Sequence, residues 1–191
     1  IGNDQKVNDK ISMRYGMRLN VWRNVGETTV YSFNANYQVI DTVMYAKDKV
    51  YHTYVNLEPR FAVDYKLNTN EVCTFSYNRT TQYLHLLSNS VSAFTSLDVW
   101  YPAGPNIKPM LADQLAVGYN RGFYDRKFIL SSEIYMRWLK NQIEYADHAN
   151  MLMNNLIEGE VRSGNVKAYG IETMIKKVKG TFTGWMSYTY A

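Results

Sequence analysis

A single cysteine, Cys73, in a chain of 191 residues leaves no internal disulfide framework and no thiolate metal cluster. Long apolar runs are missing too. No stretch approaches the roughly 18 to 20 consecutive apolar residues that a membrane helix needs, because charges interrupt every run. Crossing a bilayer on helices is therefore excluded. Charge is sparse: 21 Lys and Arg against 17 Asp and Glu give a formal net charge of +4. The excess is spread along the chain, with no stripe that would neutralise a nucleic-acid backbone, so no nucleic-acid partner is expected. The opening residues, Ile1 to Lys6, show neither an apolar signal region nor an initiator methionine, which reads as a cut piece or a mature segment. Proline is scarce at four residues, whereas 17 Tyr, 7 Phe and 4 Trp are present. With 46% hydrophobic and 20% charged residues the chain is too apolar to be disordered, and its aromatics suit pleated surfaces.

The dominant period is two. Residues 11–21 place Ile11, Met13, Tyr15, Met17, Leu19 and Val21 against Ser12, Arg14, Gly16, Arg18 and Asn20. Residues 57–67 repeat this, with Leu57, Phe61, Val63, Tyr65 and Leu67 opposing Glu58, Arg60, Asp64 and Lys66. After the tight link 68–71, Cys73, Phe75 and Tyr77 alternate with Thr74, Ser76, Asn78 and Thr80, which predicts a hairpin over 57–82. The same alternation recurs over 111–121, 128–138, 169–176 and 182–190, giving seven long strands. Period two also governs residues 133–145, and a short helix is expected only within 147–154.

Short links, near 68–71, 121–127 and 178–180, alternate with long ones at about 24–56, 83–110 and 143–166. In an up-and-down meander this puts every long link on one side. Strands of about ten residues with one apolar face, joined by alternately short and long links, predict an all-β, antiparallel segment of a transmembrane β-barrel with its long loops outside. Tyr65, Tyr77, Tyr119, Trp138 and Tyr188 fall on the apolar face near strand ends, where a headgroup girdle would place them. A soluble β-sandwich also alternates, but it needs a second apolar layer, and no second set of strands is left over. Within the first long link, 31–34 and 37–54 read as a hairpin rising beyond the membrane, since Asp41, Lys47, Asp48, Lys49 and His52 break any lipid-facing band.

Several words of the sequence then become recognisable. Tyr54-Val55-Asn56-Leu57-Glu58-Pro59-Arg60, residues 76–90 beginning Ser76-Tyr77-Asn78-Arg79, Ile107-Lys108-Pro109, and Gly184-Trp185-Met186-Ser187-Tyr188-Thr189 together resemble the barrel of TonB-dependent outer-membrane receptors. The order and spacing of these short motifs carry the similarity, which runs through most of the chain. The resemblance implies a bacterial outer-membrane location and a barrel of about 22 strands. It also implies outer-membrane lipid, the receptor's own plug domain and the TonB complex as partners, with uptake of an imported small ligand such as an iron chelate, cobalamin, a glycan or a peptide. Residues 1–191 are then a partial barrel domain without a plug, taken from the middle or later part of the barrel. Seven strands cannot close a barrel, and an odd number would leave the chain ends on opposite sides. A passive porin, an assembly barrel and a soluble β-sandwich binding module remain as alternatives.

No catalytic grouping emerges, so an enzyme is not expected. His52, His85 and His148 lie in different long links without metal spacing, and neither a metal nor a cofactor is expected. Asn78-Arg79-Thr80 matches a glycosylation sequon by chance, and Met151 to Met153 reads as loop packing. The polar face of the strands presents Arg14, Arg18, Glu58, Arg60, Asp64, Lys66, Gln82, Glu133, Arg137 and Glu172 to the barrel lumen. The aromatic loops supply the substrate-binding candidates: Tyr37, Tyr45, Tyr51 and Tyr54 in the first long link, Trp100 and Tyr101 in the second. Amphipathic rings on polar loops suit sugars, chelates and peptides alike.

Overall fold

In a computed structural model that describes residues 1–87, 99–150 and 154–191, twelve strands account for nearly all the ordered elements. They are β1 (Gly2–Lys6), β2 (Ile11–Val25), β3 (Thr28–Phe33), β4 (Val39–Tyr45), β5 (Val50–Asn68), β6 (Glu71–Gln82), β7 (Leu84–Leu87), β8 (Val99–Pro102), β9 (Met110–Phe123), β10 (Phe128–Tyr145), β11 (Val161–Lys177) and β12 (Gly184–Tyr190). Eight of them form one antiparallel sheet in the order β1-β2-β5-β6-β9-β10-β11-β12, and β3-β4 and β7-β8 are separate two-stranded hairpins. The expected meander is therefore present, with short turns at one end of the sheet and long links at the other. The first long link does carry the expected hairpin, β3-β4.

The count differs from the expected seven because β1 joins the sheet, pairing Gly2 with Gly16 and Lys6 with Ser12. Its sequence, Gly-Asn-Asp-Gln-Lys, has no alternation to reveal a strand. It docks because Gly16 admits its backbone: a Cβ there would lie 2.8 Å from the Ile1 carbonyl oxygen. With eight strands, both ends of the chain point toward the long-link end rather than to opposite sides. The strands also run further than their apolar patterns, with β5 starting at Val50 and β11 at Val161. These extensions carry His, Thr, Tyr, Asn and Arg, whose hydrogen-bonded ladders continue after the lipid-type alternation has stopped. The helix expected within 147–154 is absent from its described part, which holds a turn at 147–148; the helical turn lies later, a 3-10 turn at Ile157–Glu160. Residues 151–153, read as loop packing, lie outside the described residues, as does the 88–90 end of the second recognised motif.

Register explains the apolar face. One cross-strand row runs Met13, Val63, Phe75, Val117, Ile134, Ile171 and Tyr190; the next runs Tyr15, Phe61, Tyr77, Leu115, Met136 and Tyr169. Such pairs are the unit of sheet stabilisation. One step further toward the long links β6, β9, β10 and β11 present Arg79, Asp113, Trp138 and Lys167, whereas β2 and β5 stay apolar there, at Met17-Pro59, and for two steps more, through Leu19-Leu57 and Val21-Val55. The apolar band thus slants across the register, as strands tilted about 35 to 45° to the membrane normal require. Nothing among the described residues covers it: Leu19 is 60% exposed, Val55 61% and Ile134 61%. The opposite face has its own packing, where Tyr135 lies across Gly170 with its hydroxyl 2.9 Å from where a Cβ would sit.

The buried apolar residues gather at the long-link end, where Leu87, Ile107, Ile143 and Val161 cluster with Tyr101 and Tyr145 packed against them. The β10-β11 register slips between Lys140 and Gln142, and Asn141, at φ 59°, takes up the extra residue while its Nδ2 donates to the Pro109 carbonyl at 2.9 Å. That bulge marks where the regular wall gives way to the loop cluster.

Candidate functional site: a polar wall beneath a collar of loops

Along the inner face, alternation places one polar or small side chain per strand at each level, and the pairing register decides which of them meet. Arg14 Nη2 donates to Asp64 Oδ2 at 3.0 Å, and Thr74 Oγ1 donates to Asp64 Oδ1 at 2.7 Å. Arg18 lies 3.8 Å from Glu58, and Arg137 donates twice to Gln114 Oε1, at 2.9 and 2.6 Å. Arg60 sits between Gly16 and Asn78 in the register, and with Arg14, Arg18 and Glu58 it borders a concavity of about 800 Å³. Glu133 pairs with Glu172 across β10 and β11, and both border a second concavity of about 410 Å³. Gln82 Nε2 instead turns to the Leu84 carbonyl at 2.6 Å, out of the wall and into the second long link. Lys66, at the short-turn end, pairs with Val72.

The wall parts between β5 and β6, and one residue explains where. Met17 exchanges both backbone hydrogen bonds with Ile1, so Pro59, opposite Met17, turns its backbone toward β6. Proline has no N–H to donate there, and the β5-β6 ladder ends at the preceding pair, Arg60 with Asn78. Beyond it the buried Glu58 carboxylate accepts the Thr81 N–H at 2.7 Å in place of a strand. The opening admits the second long link. Tyr83 stacks on Trp22 with ring centroids 5.2 Å apart and donates to Asn56 Oδ1 at 3.0 Å.

The inner-face residues at the top of β2 and β5 then hold the returning loop. Trp22 Nε1 and Asn24 Nδ2 donate to the Ala103 carbonyl at 3.1 and 2.8 Å, and the Tyr54 hydroxyl donates to the Gly104 carbonyl at 2.8 Å. A second knot ties all three long links. Glu158 accepts the Tyr101 hydroxyl at 2.9 Å and the Asn106 amide, while Asn106 Nδ2 also donates to the Tyr31 carbonyl at 2.8 Å. Burial, reinforced by the charge and hydrogen bond of Glu158, raises the Tyr101 hydroxyl above the ordinary tyrosine range, so it stays a donor. Burial likewise pushes His85 down and keeps it neutral.

The six loop candidates therefore divide. Tyr51 and Tyr101 line a cavity of about 230 Å³ beside Glu158. Tyr37 lines a neighbouring one of about 290 Å³, with the Arg162 guanidinium 3.4 Å above its ring. Tyr45 packs on Tyr51 at 5.2 Å between centroids, and Tyr54 fastens the loop. Trp100, 63% exposed, lines neither cavity. Sequence reasoning passed over Trp22, Asn24, Asn106 and Glu158. Only Asn24 left a signal, as the next polar position after Asn20 and Trp22 on an alternating strand. Among the described residues no three His, Cys, Asp or Glu side chains converge to hold a metal ion. His52 and His85 stay apart, His52 packed edge-on against Tyr54 and His85 paired in register with Tyr101.

A one-sheet meander with an apolar outer face, a charged inner face and loops folded together at one end defines part of a transmembrane β-barrel wall. The sequence matches the family described as TonB dependent receptor-like, beta-barrel over residues 2–191, and the chain belongs to that family. No curated protein matches it. Among solved structures it is similar to the Serratia marcescens hemophore receptor HasR in complex with its hemophore HasA and heme, with 15% identity, a TM-score of 0.60 and 95% of this chain aligned to 31% of that one. The alcaligin outer-membrane receptor FauA from Bordetella pertussis aligns with 10% identity, a TM-score of 0.53 and coverage of 97% and 29%. The ferric-catecholate import receptor Fiu from E. coli gives 13%, 0.52, and 98% and 27%. At such identities the likeness is one of fold, and the chain spans less than a third of each of these structures.

Proposed function

We propose that residues 1–191 are part of the barrel wall of an active importer in the bacterial outer membrane, one that takes up a scarce nutrient and performs no enzymatic chemistry. The two-faced sheet carries this reading: an apolar band facing lipid and a charged face fit to line a wide lumen. In the whole receptor a plug domain fills that lumen, and the TonB complex draws on the plug to drive import. The inner residues Arg14, Arg18, Arg60, Asp64, Glu133, Arg137 and Glu172 then meet water and the plug, whereas Glu58 and Gln82 brace the start of the second long link. The collar of long links, with Tyr37, Tyr45, Tyr51, Tyr54, Trp100 and Tyr101, forms the ligand-facing surface. The named substrates of the solved relatives, alcaligin, a ferric catecholate and heme on its hemophore, support small-molecule import. The test is uptake by cells with and without TonB, alongside an immunoblot of fractionated membranes run boiled and unboiled. TonB-dependent uptake, with a heat-shifting outer-membrane band far heavier than 22.2 kDa, is expected. Equal uptake without TonB would leave a passive pore.

A further inference from the structure

The collar has a charge that the whole chain conceals. Residues 24–56, 83–110 and 143–166, the three long links, carry eight Asp and Glu against three Lys and one Arg, Arg162, a net −4 in a chain whose total is +4. Such a surface repels anions and concentrates cations.

Beneath it lies the 230 Å³ cavity, whose lining among the described residues has one carboxylate, Glu158, and no Lys or Arg. Asn24, only 7% exposed, has its amide orientation fixed, because Nδ2 is committed to the Ala103 carbonyl. That leaves Asn24 Oδ1 as a buried acceptor without a partner among the described residues, a condition that buried polar groups rarely keep unless something else supplies the hydrogen. Across the same cavity stands the Glu158 carboxylate, with lone pairs to spare after Tyr101 and Asn106. Tyr31, Tyr51 and Tyr101 supply ring surfaces between them. An unpartnered acceptor, a carboxylate and aromatic walls converge on one chemistry, a positively charged N–H donor.

We propose that this cavity binds a primary ammonium or guanidinium group, so that the imported ligand is a basic peptide or amine. The proposal rests on the reading of the collar as the import site. Neutral polyols would satisfy Asn24, but they draw nothing from the acidic collar. Anionic chelates are opposed by it.

The experiment uses the intact purified receptor in detergent and isothermal titration with three tripeptides whose N-termini are blocked by acetylation, so that the side chain carries the only ammonium: Gly-Lys-Gly, the same peptide with its lysine side chain also acetylated, and Gly-Glu-Gly. The lysine peptide is expected to bind, to weaken with added salt, and to lose about tenfold in affinity on side-chain acetylation. Glu158→Gln is expected to cause a similar loss, and Glu160→Gln, outside the cavity, none. Side-chain acetylation tests the charge without touching the protein, so a collapsed loop in the variant cannot mimic the result. Equal binding of the side-chain-acetylated peptide, preference for the glutamate peptide, or no binding of the lysine peptide would overturn the assignment. TonB-dependent uptake without preference for positive charge would overturn it while leaving the import reading intact. Charge-selective binding without TonB-dependent uptake would fail the import reading alone.

Discussion

The lipid-side face and the collar are built on opposite principles. The face is a repeat: one apolar side chain per strand per level, matched across register from Met13 to Tyr190, with each neighbour replaceable by another apolar residue. The collar is singular, and Trp22, Asn24, Tyr54, Tyr101 and Asn106 each donate to a particular carbonyl or to the Glu158 carboxylate. The face therefore tolerates change in shape and rejects change in polarity, whereas the collar does the reverse.

A charge on the face is the harshest way to break this contrast. Ile171→Lys should cost about 2 to 4 kcal/mol of barrel stability if it sits near the bilayer midplane, read as a lower unfolding midpoint in reconstituted receptor. Glu172→Lys, one residue away on the inner face, should shift it far less. Next comes the polar island in the outward rows, where Arg79 makes a bidentate pair with Asp113 at 2.7 and 2.9 Å and Tyr77 donates to the same carboxylate at 2.7 Å. Asp113→Ala strands the guanidinium and should cost about 1 to 3 kcal/mol, and the double variant Arg79→Leu with Asp113→Leu should recover most of it; additive losses would show that the pair does not act as a unit.

Collar changes should spare the barrel. Tyr54→Phe removes one hydrogen bond, worth about 0.5 to 1.5 kcal/mol, and should appear as faster amide exchange confined to residues 103–107. Replacing Trp100 and Tyr101 with Ala should weaken uptake several-fold while heat-shifting on gels stays normal; unchanged uptake would remove those rings from the ligand surface. The smallest effect concerns pH. Burial holds the folded pKa of His85 below its ordinary value of 6.5, so the released loop takes up a proton that the packed loop does not. Collar stability from this group is complete above about pH 6.5 and falls as pH drops toward the folded value. Exchange in the 84–87 strand should rise with acidification in the native receptor and not in His85→Gln.

The repeat was legible in the sequence because period two is local: Leu57, Phe61, Val63 and Tyr65 announce their face without reference to any other strand. Even the slant of the band follows once the pairs are known. β1 was not legible, since Gly2–Lys6 has no pattern and is held by room at Gly16. The collar was legible only as a set of aromatics. Which of them line a cavity depends on where Pro59 ends the β5-β6 ladder, on the bulge at Asn141, and on contacts between residues about 50 to 80 apart in sequence, such as Asn24 with Ala103 and Tyr101 with Glu158. Glu158 carries no local pattern, because its partners Tyr101 and Asn106 lie in another link.

The facing of the sheet is the claim on which the rest depends, and lipid-quenching fluorescence tests it directly. In a Cys73→Ser background, single replacements Phe75→Cys, Val117→Cys and Ile134→Cys on one row and Ser76→Cys, Ala116→Cys and Tyr135→Cys on the adjacent inner row would be labelled with a small fluorophore. The intact receptor would then be placed in vesicles containing brominated lipid. Strong quenching at the first three and little at the second three is the predicted outcome; equal quenching of both rows, or the reverse order, would contradict a barrel wall.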